Sequence, residues 1–188
     1  MIFEPTPLSG VHILKPQRFE DNRGYFMETY NKVEFSENIG PVDFIQDNES
    51  KSSMGVLRGL HLQKGDKAQA KLVRVVEGRV FDVVVDLRKE SPTFGKWFGT
   101  ELSEENCKRL FIPRGFAHGF VVLSHVARFV YKVDNHYAPE AEVTISYADS
   151  QLAIRWPEVA DGYVLSRKDA EKAISFRQYC EMNDLAPS

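Results

Sequence analysis

Cysteine is scarce in this chain of 188 residues: Cys107 and Cys180 are its only two, and they stand far apart. A disulfide framework and a zinc site, whose ligands come in close Cys/His pairs, are both excluded, and a reducing compartment is expected. Long apolar runs are also lacking. The longest, such as Val83–Val85 and Gly119–Leu123, are far too short to cross a bilayer. The first residues, Met-Ile-Phe-Glu-Pro-Thr-Pro, lack the basic-then-apolar order of an export signal, and Glu4 would interrupt one; a cytoplasmic location and no membrane partner are expected. No strong excess of one charge exists either, the formal net charge being -3. That argues against a nucleic-acid partner and leaves room for a few arginines to grip one small anion. Internal repeats, low-complexity tracts and linkers are absent, so residues 1–188 read as a single domain with a sizeable core.

What the chain does have is a succession of short β-branched and aromatic segments with turn signals between them. They are Val11–Lys15, Tyr25–Tyr30, Phe44–Asp47, Val56–Leu62, Lys71–Glu77, Arg79–Asp86, Trp97–Leu102, Arg109–Ile112, Phe116–Leu123, Ala127–Val133 and Glu142–Tyr147. That spacing predicts an all-β antiparallel sandwich or barrel. Only two segments read as helix: Lys32–Ile39, capped by Asn31, and Ser166 to about Asn183, where Ser166 and Asp169 have capping-box spacing. Strands and helices do not alternate, which excludes a parallel α/β sheet.

Strand parity isolates unusual residues. Lys71 shares a face with Val73 and Val75, whereas Arg74 shares the other with Leu72 and Val76, so one long cation points inward. Asp82 falls on the face of Val80 and Val84 and needs a cationic partner, for which Lys71 is a candidate. In Arg58-Gly59-Leu60-His61 the arginine and histidine have opposite parity, and only a bulge at Gly59 aims both at one cavity.

The run Pro113-Arg114-Gly115-Phe116-Ala117-His118-Gly119-Phe120 resembles the second motif of the cupin superfamily, whose fold is a double-stranded β-helix, a jelly-roll barrel around a ligand cavity. Many cupins bind metal through a His-x-His pair in the first motif. The matching place here reads His61-Leu62-Gln63, and with glutamine in the second position no three-histidine site can be assembled locally.

A more extended resemblance covers nearly the whole chain. The runs Phe19–Phe26, Gln46–Ser50, Gly55–His61, Gln69–Val73 and Ile112–Phe120, followed by Trp156-Pro157 and Leu165–Asp169, stand in the order found in the dTDP-4-dehydrorhamnose 3,5-epimerase family. The resemblance implies a cupin-type barrel with an N-terminal strand arm and short peripheral helices. It also implies an epimerase without cofactor or metal, acting on a dTDP-4-dehydro-6-deoxyhexose in deoxysugar biosynthesis. Inverting a carbon beside a ketone requires a base, a donor to the enolate oxygen and an acid on the opposite face.

By this resemblance His61 is the base, Asp169 its carboxylate partner, Lys71 the donor to the keto oxygen and Tyr131 the acid. Arg58 and Arg23 match phosphate-contacting arginines. Phe26 and Glu28 match positions at the nucleotide end, Gln46 and Asn48 match ligand contacts, and His118 is a cavity-wall residue assisting binding. Asp82, Glu142 and Lys168 complete the expected substrate contacts. The strand carrying Arg23 crosses to the neighbouring subunit in the family, so a homodimer with exchanged N-terminal strands is implied.

Three departures concern substrate identity. Asn135-His136-Tyr137 stands where the family usually shows two adjacent tyrosines, Glu142-Val143 where glycine often follows the glutamate, and Leu62 where an aromatic is frequent. Two rival readings therefore accompany conversion to dTDP-4-dehydro-L-rhamnose with inversion at C3 and C5. One is a single-site 3-epimerase or ketoisomerase of a related dTDP-keto sugar. The other is a cupin-like nucleotide- or carbohydrate-binding module that performs no chemistry.

Overall fold

The computed structural model describes residues 1–185, and within them the chain is built almost entirely of strands. In chain order these are β1 (Ile2–Pro5), β2 (His12–Lys15), β3 (Arg18–Asp21), β4 (Gly24–Met27), β5 (Gln46–Ser53), β6 (Leu57–Gln63), β7 (Lys71–Glu77), β8 (Arg79–Asp86), β9 (Trp97–Ser103), β10 (Arg109–Ile112), β11 (Phe116–Val122), β12 (Val126–Val133) and β13 (Glu142–Thr144). Three short helices accompany them: α1 (Lys32–Asn38), α2 (Arg167–Glu171) and α3 (Phe176–Met182).

Two antiparallel sheets carry the fold. One has six strands in the order β1-β2-β10-β7-β12-β5, the other five in the order β13-β6-β11-β8-β9. Their inner faces enclose the main core, in which Val73, Val75, Leu110 and Phe129 of the first sheet meet Val80, Val84, Leu102 and Phe120 of the second. Alternation along each strand puts those residues on one face and leaves a second apolar set outside. Leu60, Val83, Val85 and Ala117 point out of the five-stranded sheet and are covered by Phe176, Tyr179 and Cys180 of α3. Leu72 and Phe111 point out of the six-stranded sheet and meet Phe35 of α1. This is the jelly-roll arrangement expected, with its helices at the periphery.

Several boundaries differ from the sequence reading. The strand expected over Phe44–Asp47 is β5, which runs on through Asn48–Ser53. Its inward positions Asn48, Ser50 and Ser52 are polar, so a hydrophobic period could not reveal it. The helix expected from Ser166 to about Asn183 is two helices. Ile174 interrupts it by exchanging backbone hydrogen bonds with the end of β13, its amide donating to Thr144 O at 2.9 Å and its carbonyl accepting from Ser146 at 2.9 Å. Ser175 then starts α3 with a capping box to Gln178. Asn31 caps α1 as expected, accepting from the Val33 and Glu34 amides.

β3 and β4 pair only with each other, forming a separate two-stranded sheet. The hairpin leaves Phe19, Tyr25 and Phe26 in solvent, Phe26 to 71% of its surface.

Candidate active site

The cavity between the sheets owes its shape to one irregularity in β6. His61 stands opposite His118, and Arg58 opposite Phe120, so Gly59 and Leu60 together face the single residue Gly119. This is the bulge that parity demanded. Gly59 occupies it at φ +120°, and a Cβ there would lie 2.6 Å from Gly119 Cα and 2.7 Å from His118 O. The extra residue returns Arg58 and His61 to the same face, while Leu60 turns outward into the layer beneath α3.

A cavity of about 150 Å³ results, lined by Ser50, Arg58, His61, Lys71, His118, Gly119, Phe120, Phe129 and Tyr131. His61 and His118 come from the five-stranded sheet; Lys71 and Tyr131 come from the six-stranded sheet facing it. Behind His61, Nε2 lies 2.6 Å from Asp169 Oδ1. The carboxylate is 4% exposed and the imidazole 30%, so the ring reaches the cavity and its partner does not. Ser166 fixes Asp169 by accepting its amide at 3.1 Å, which joins the start of α2 to the imidazole. Burial acts to raise the Asp169 pKa, but the hydrogen bond and charge of His61 outweigh it and hold the carboxylate below its ordinary range.

Lys71 points inward, as parity predicted. Burial depresses its ammonium to about 8, against the opposing pull of Asp82 and Glu142. Tyr131 is shifted the other way. Burial raises its phenol, with Arg58 opposing and Glu142 assisting, so it keeps its proton at neutral pH. Arg58 is steadied by donating from Nε to Ser52 Oγ at 3.1 Å.

Asp82 needs a correction. Its hydrogen-bond partner is His118, whose Nε2 lies 2.9 Å from Oδ2; Lys71 acts on it only through space. Wholly buried, Asp82 lies behind His118 and can reach a ligand only through that ring, not as the direct substrate contact expected. Burial pushes Asp82 up and His118 down, each toward its neutral form.

The remaining positions divide by place. Gln46 and Asn48 lie on the cavity-facing side of β5, joined by a 2.7 Å hydrogen bond from the Gln46 amide. Glu142 and Lys168 are ion-paired, and Tyr137 donates to Glu142 Oε2 at 2.5 Å. Arg58, His61, Lys168 and Asp169 line an adjoining recess of about 320 Å³. Arg23, Phe26 and Glu28 are not brought to this cavity. They sit on or just after the β3–β4 hairpin, where Arg23 pairs with neighbouring Asp21.

Sequence reasoning missed Ser50 and Ser52, which only the inward parity of β5, had its length been recognised, could have revealed; the Ser166–Asp169 spacing, read as a helix start, does carry the expected bond from the Asp169 amide to the Ser166 side chain. Gln63 is committed to its loop, donating to Lys67 O at 2.7 Å and His136 O at 3.1 Å and accepting from Ala138 at 2.7 Å. Among the described residues no group of three His, Cys, Asp or Glu side chains is arranged to hold a metal.

Comparisons with known proteins agree on one family. The family model described as dTDP-4-dehydrorhamnose 3,5-epimerase matches residues 5–177. The dTDP-4-dehydrorhamnose 3,5-epimerase of Salmonella typhimurium is 54% identical over 171 residues, 90% of this chain and 93% of that protein. The crystal structure of the enzyme of that name from Elizabethkingia anophelis superimposes with a TM-score of 0.90 at 54% identity, covering 95% of this chain and 97% of the other. A dTDP-6-deoxy-D-glucose-3,5-epimerase of Legionella pneumophila, solved in complex with dTDP-4-keto-L-rhamnose, gives 0.88 at 46% identity over 92% of each chain.

Proposed function

The chain belongs to the dTDP-4-dehydrorhamnose 3,5-epimerase family, and from that premise we propose that its cavity works with His61 as base, Lys71 as enolate stabiliser and Tyr131 as acid. The enzyme is an isomerase that converts dTDP-4-dehydro-6-deoxy-D-glucose to dTDP-4-dehydro-L-rhamnose. Relatives above 50% identity bear the 3,5-epimerase name, which favours this activity over a single-site enzyme or a module without chemistry.

The C4 ketone acidifies the protons on C3 and C5. His61 removes one, and Asp169 stabilises the imidazolium that forms and sets the tautomer beforehand. Lys71, still an ammonium at neutral pH, neutralises charge developing on the enolate oxygen. Tyr131 returns a proton. Inversion requires the two protons to travel on opposite faces of the sugar, and His61 and Tyr131 are carried by opposite sheets. A single observation carries the reading: one cavity gathers His61, Lys71 and Tyr131, with Asp169 bonded behind the histidine at 2.6 Å.

Arg58 and His118 complete the sugar and phosphate end, with Gln46, Asn48, Glu142 and Lys168 around it. The nucleotide end is built by a second subunit, whose β3–β4 hairpin supplies Arg23, Phe26 and Glu28. Support for that homodimer comes from the hairpin's exposed aromatics and from the open edge of β5 at the end of its sheet. The two unpaired thiols favour a cytoplasmic setting.

Turnover of dTDP-4-dehydro-6-deoxy-D-glucose in heavy water tests the activity. Deuterium at both C3 and C5 of the product is the expected result. Label at C3 alone would convert the reading to a 3-epimerase, and label at neither would end it.

A further inference from the structure

Asp169 is delivered to His61 by an element that cannot hold itself. α2 is a helix of 5 residues, too short to persist in water without tertiary support, and it brings no apolar face to the molecule: Asp169 is its one buried residue. That residue is a carboxylate, which prefers water to a site where its side chain is 4% exposed. The bond to His61 cannot secure it alone, because a base takes up and gives back a proton in each turnover. The restraint on Asp169 must come from outside α2.

Two backbone clips supply it, one on each side. Before α2, Val164 bridges parallel to Val56: its amide donates to Gly55 O at 2.9 Å and its carbonyl accepts from the Leu57 amide at 3.0 Å. After α2, Ile174 makes the equivalent parallel bridge to Ile145, donating to Thr144 and accepting from Ser146. Both clips end on the strand that carries His61 or on its neighbour. Leu57 opens β6, Thr144 stands opposite His61, and Ile145 exchanges backbone bonds of 2.9 and 3.1 Å with Leu60. Asp169 lies midway between Val164 and Ile174 in the chain, so imidazole and carboxylate are held to one frame. Close approach at the first clip requires Gly55, which has φ +80° and where a Cβ would lie 2.8 Å from Gly162 O. Val164 itself is 54% exposed, so its main chain rather than packing of its side chain makes the attachment.

We propose that Val164 and Ile174 are positioning residues for the reaction, their main-chain bridges holding Asp169 against His61. The inference rests on His61 acting as base with Asp169 behind it, and adds to that pair the two attachments that keep it together.

Steady-state kinetics of Val164→Pro, which deletes the amide bonded to Gly55, tests this beside Val164→Ala, which keeps it. The expected result is a kcat lower by about tenfold or more in Val164→Pro, with KM little changed and most of the loss absent in Val164→Ala. Added to Asp169→Ala, Val164→Pro should cost almost nothing further, because its effect runs through a carboxylate already removed. Losses that multiply in the double variant, or equal losses in Val164→Pro and Val164→Ala, would mean that Val164 only supports the fold, and would overturn the proposal. Wild-type kcat in Val164→Pro would do the same. Wild-type kcat in Asp169→Ala would instead overturn the pairing of base and carboxylate, and this inference with it. Should Val164→Pro fail to fold, hydrogen exchange of the wild-type chain decides: the Val164 and Ile174 amides should be as protected as those of β6, and exchange at the rate of exposed loop amides would overturn both clips.

Discussion

At the scale of single residues, the site holds two groups, Lys71 and Tyr131, away from their solution behaviour by burial. Lys71 is the most exposed to test, because its pKa near 8 lies just above working pH. As pH rises through that value the ammonium loses its proton and the enolate loses its counter-charge, so kcat should fall on the alkaline side. Lys71→Met should be nearly inactive and should lack that limb. The same shift makes a stability prediction. Because the folded pKa is below the ordinary lysine value of 10.5, the folded state carries a penalty that is full below pH 8 and disappears as pH climbs toward 10.5. Lys71→Met should therefore stabilise the protein at pH 7 by roughly 1–3 kcal/mol, and denaturant melts should show the gain fading by about pH 10.5. Asp169→Asn keeps the shape of the dyad but not its charge. A kcat loss of roughly 100-fold or more, with KM little changed, is expected from steady-state kinetics. Parity made the inward lysine legible in sequence. It did not identify the partner of Asp82, because His118 reaches it diagonally across the β8–β11 ladder, where Asp82 stands opposite Phe120 and His118 opposite Val84, and register is not written in either strand.

At the scale of elements, the bulge in β6 turns a strand into a site. Without the extra residue, Arg58 or His61 would face the layer beneath α3. Gly59→Ala should be severe, since its Cβ would meet backbone at 2.6 and 2.7 Å and its positive φ disfavours a side chain. A loss of roughly 2–4 kcal/mol in unfolding free energy is expected, with activity lost even in whatever folds. The start of α2 offers a gentler test. Ser166→Ala removes the acceptor of the Asp169 amide and should cost about 1 kcal/mol, lowering kcat more than it raises KM because Asp169 is the residue it steadies. β7, β8 and β10 could be read to their ends because their inward residues are mostly apolar. β5 and the broken C-terminal helix could not. In the first, a ligand cavity replaces hydrophobic residues with Asn48, Ser50 and Ser52; in the second, a backbone bridge from Ile174 to the end of β13 overrides helical periodicity.

At the scale of the whole molecule, two sheets face each other across a small polar void in an otherwise apolar core. The fold class was legible because turn signals recur at β-sandwich spacing, whereas parity said nothing of where the β3–β4 hairpin packs, since it pairs with no other strand of its own chain; only the family resemblance pointed it to a neighbouring subunit. The facing sheets also divide the proposed chemistry, with His61, the proposed base, on one wall and Tyr131, the proposed acid, on the other. The most direct test follows deuterium from solvent into unconverted substrate and product for His61→Asn and Tyr131→Phe side by side. Tyr131→Phe should continue to exchange the C3 or C5 proton while forming little inverted product, and His61→Asn should do neither. Equal loss of exchange in both variants, or normal exchange in His61→Asn, would contradict the assignment of base and acid to opposite walls.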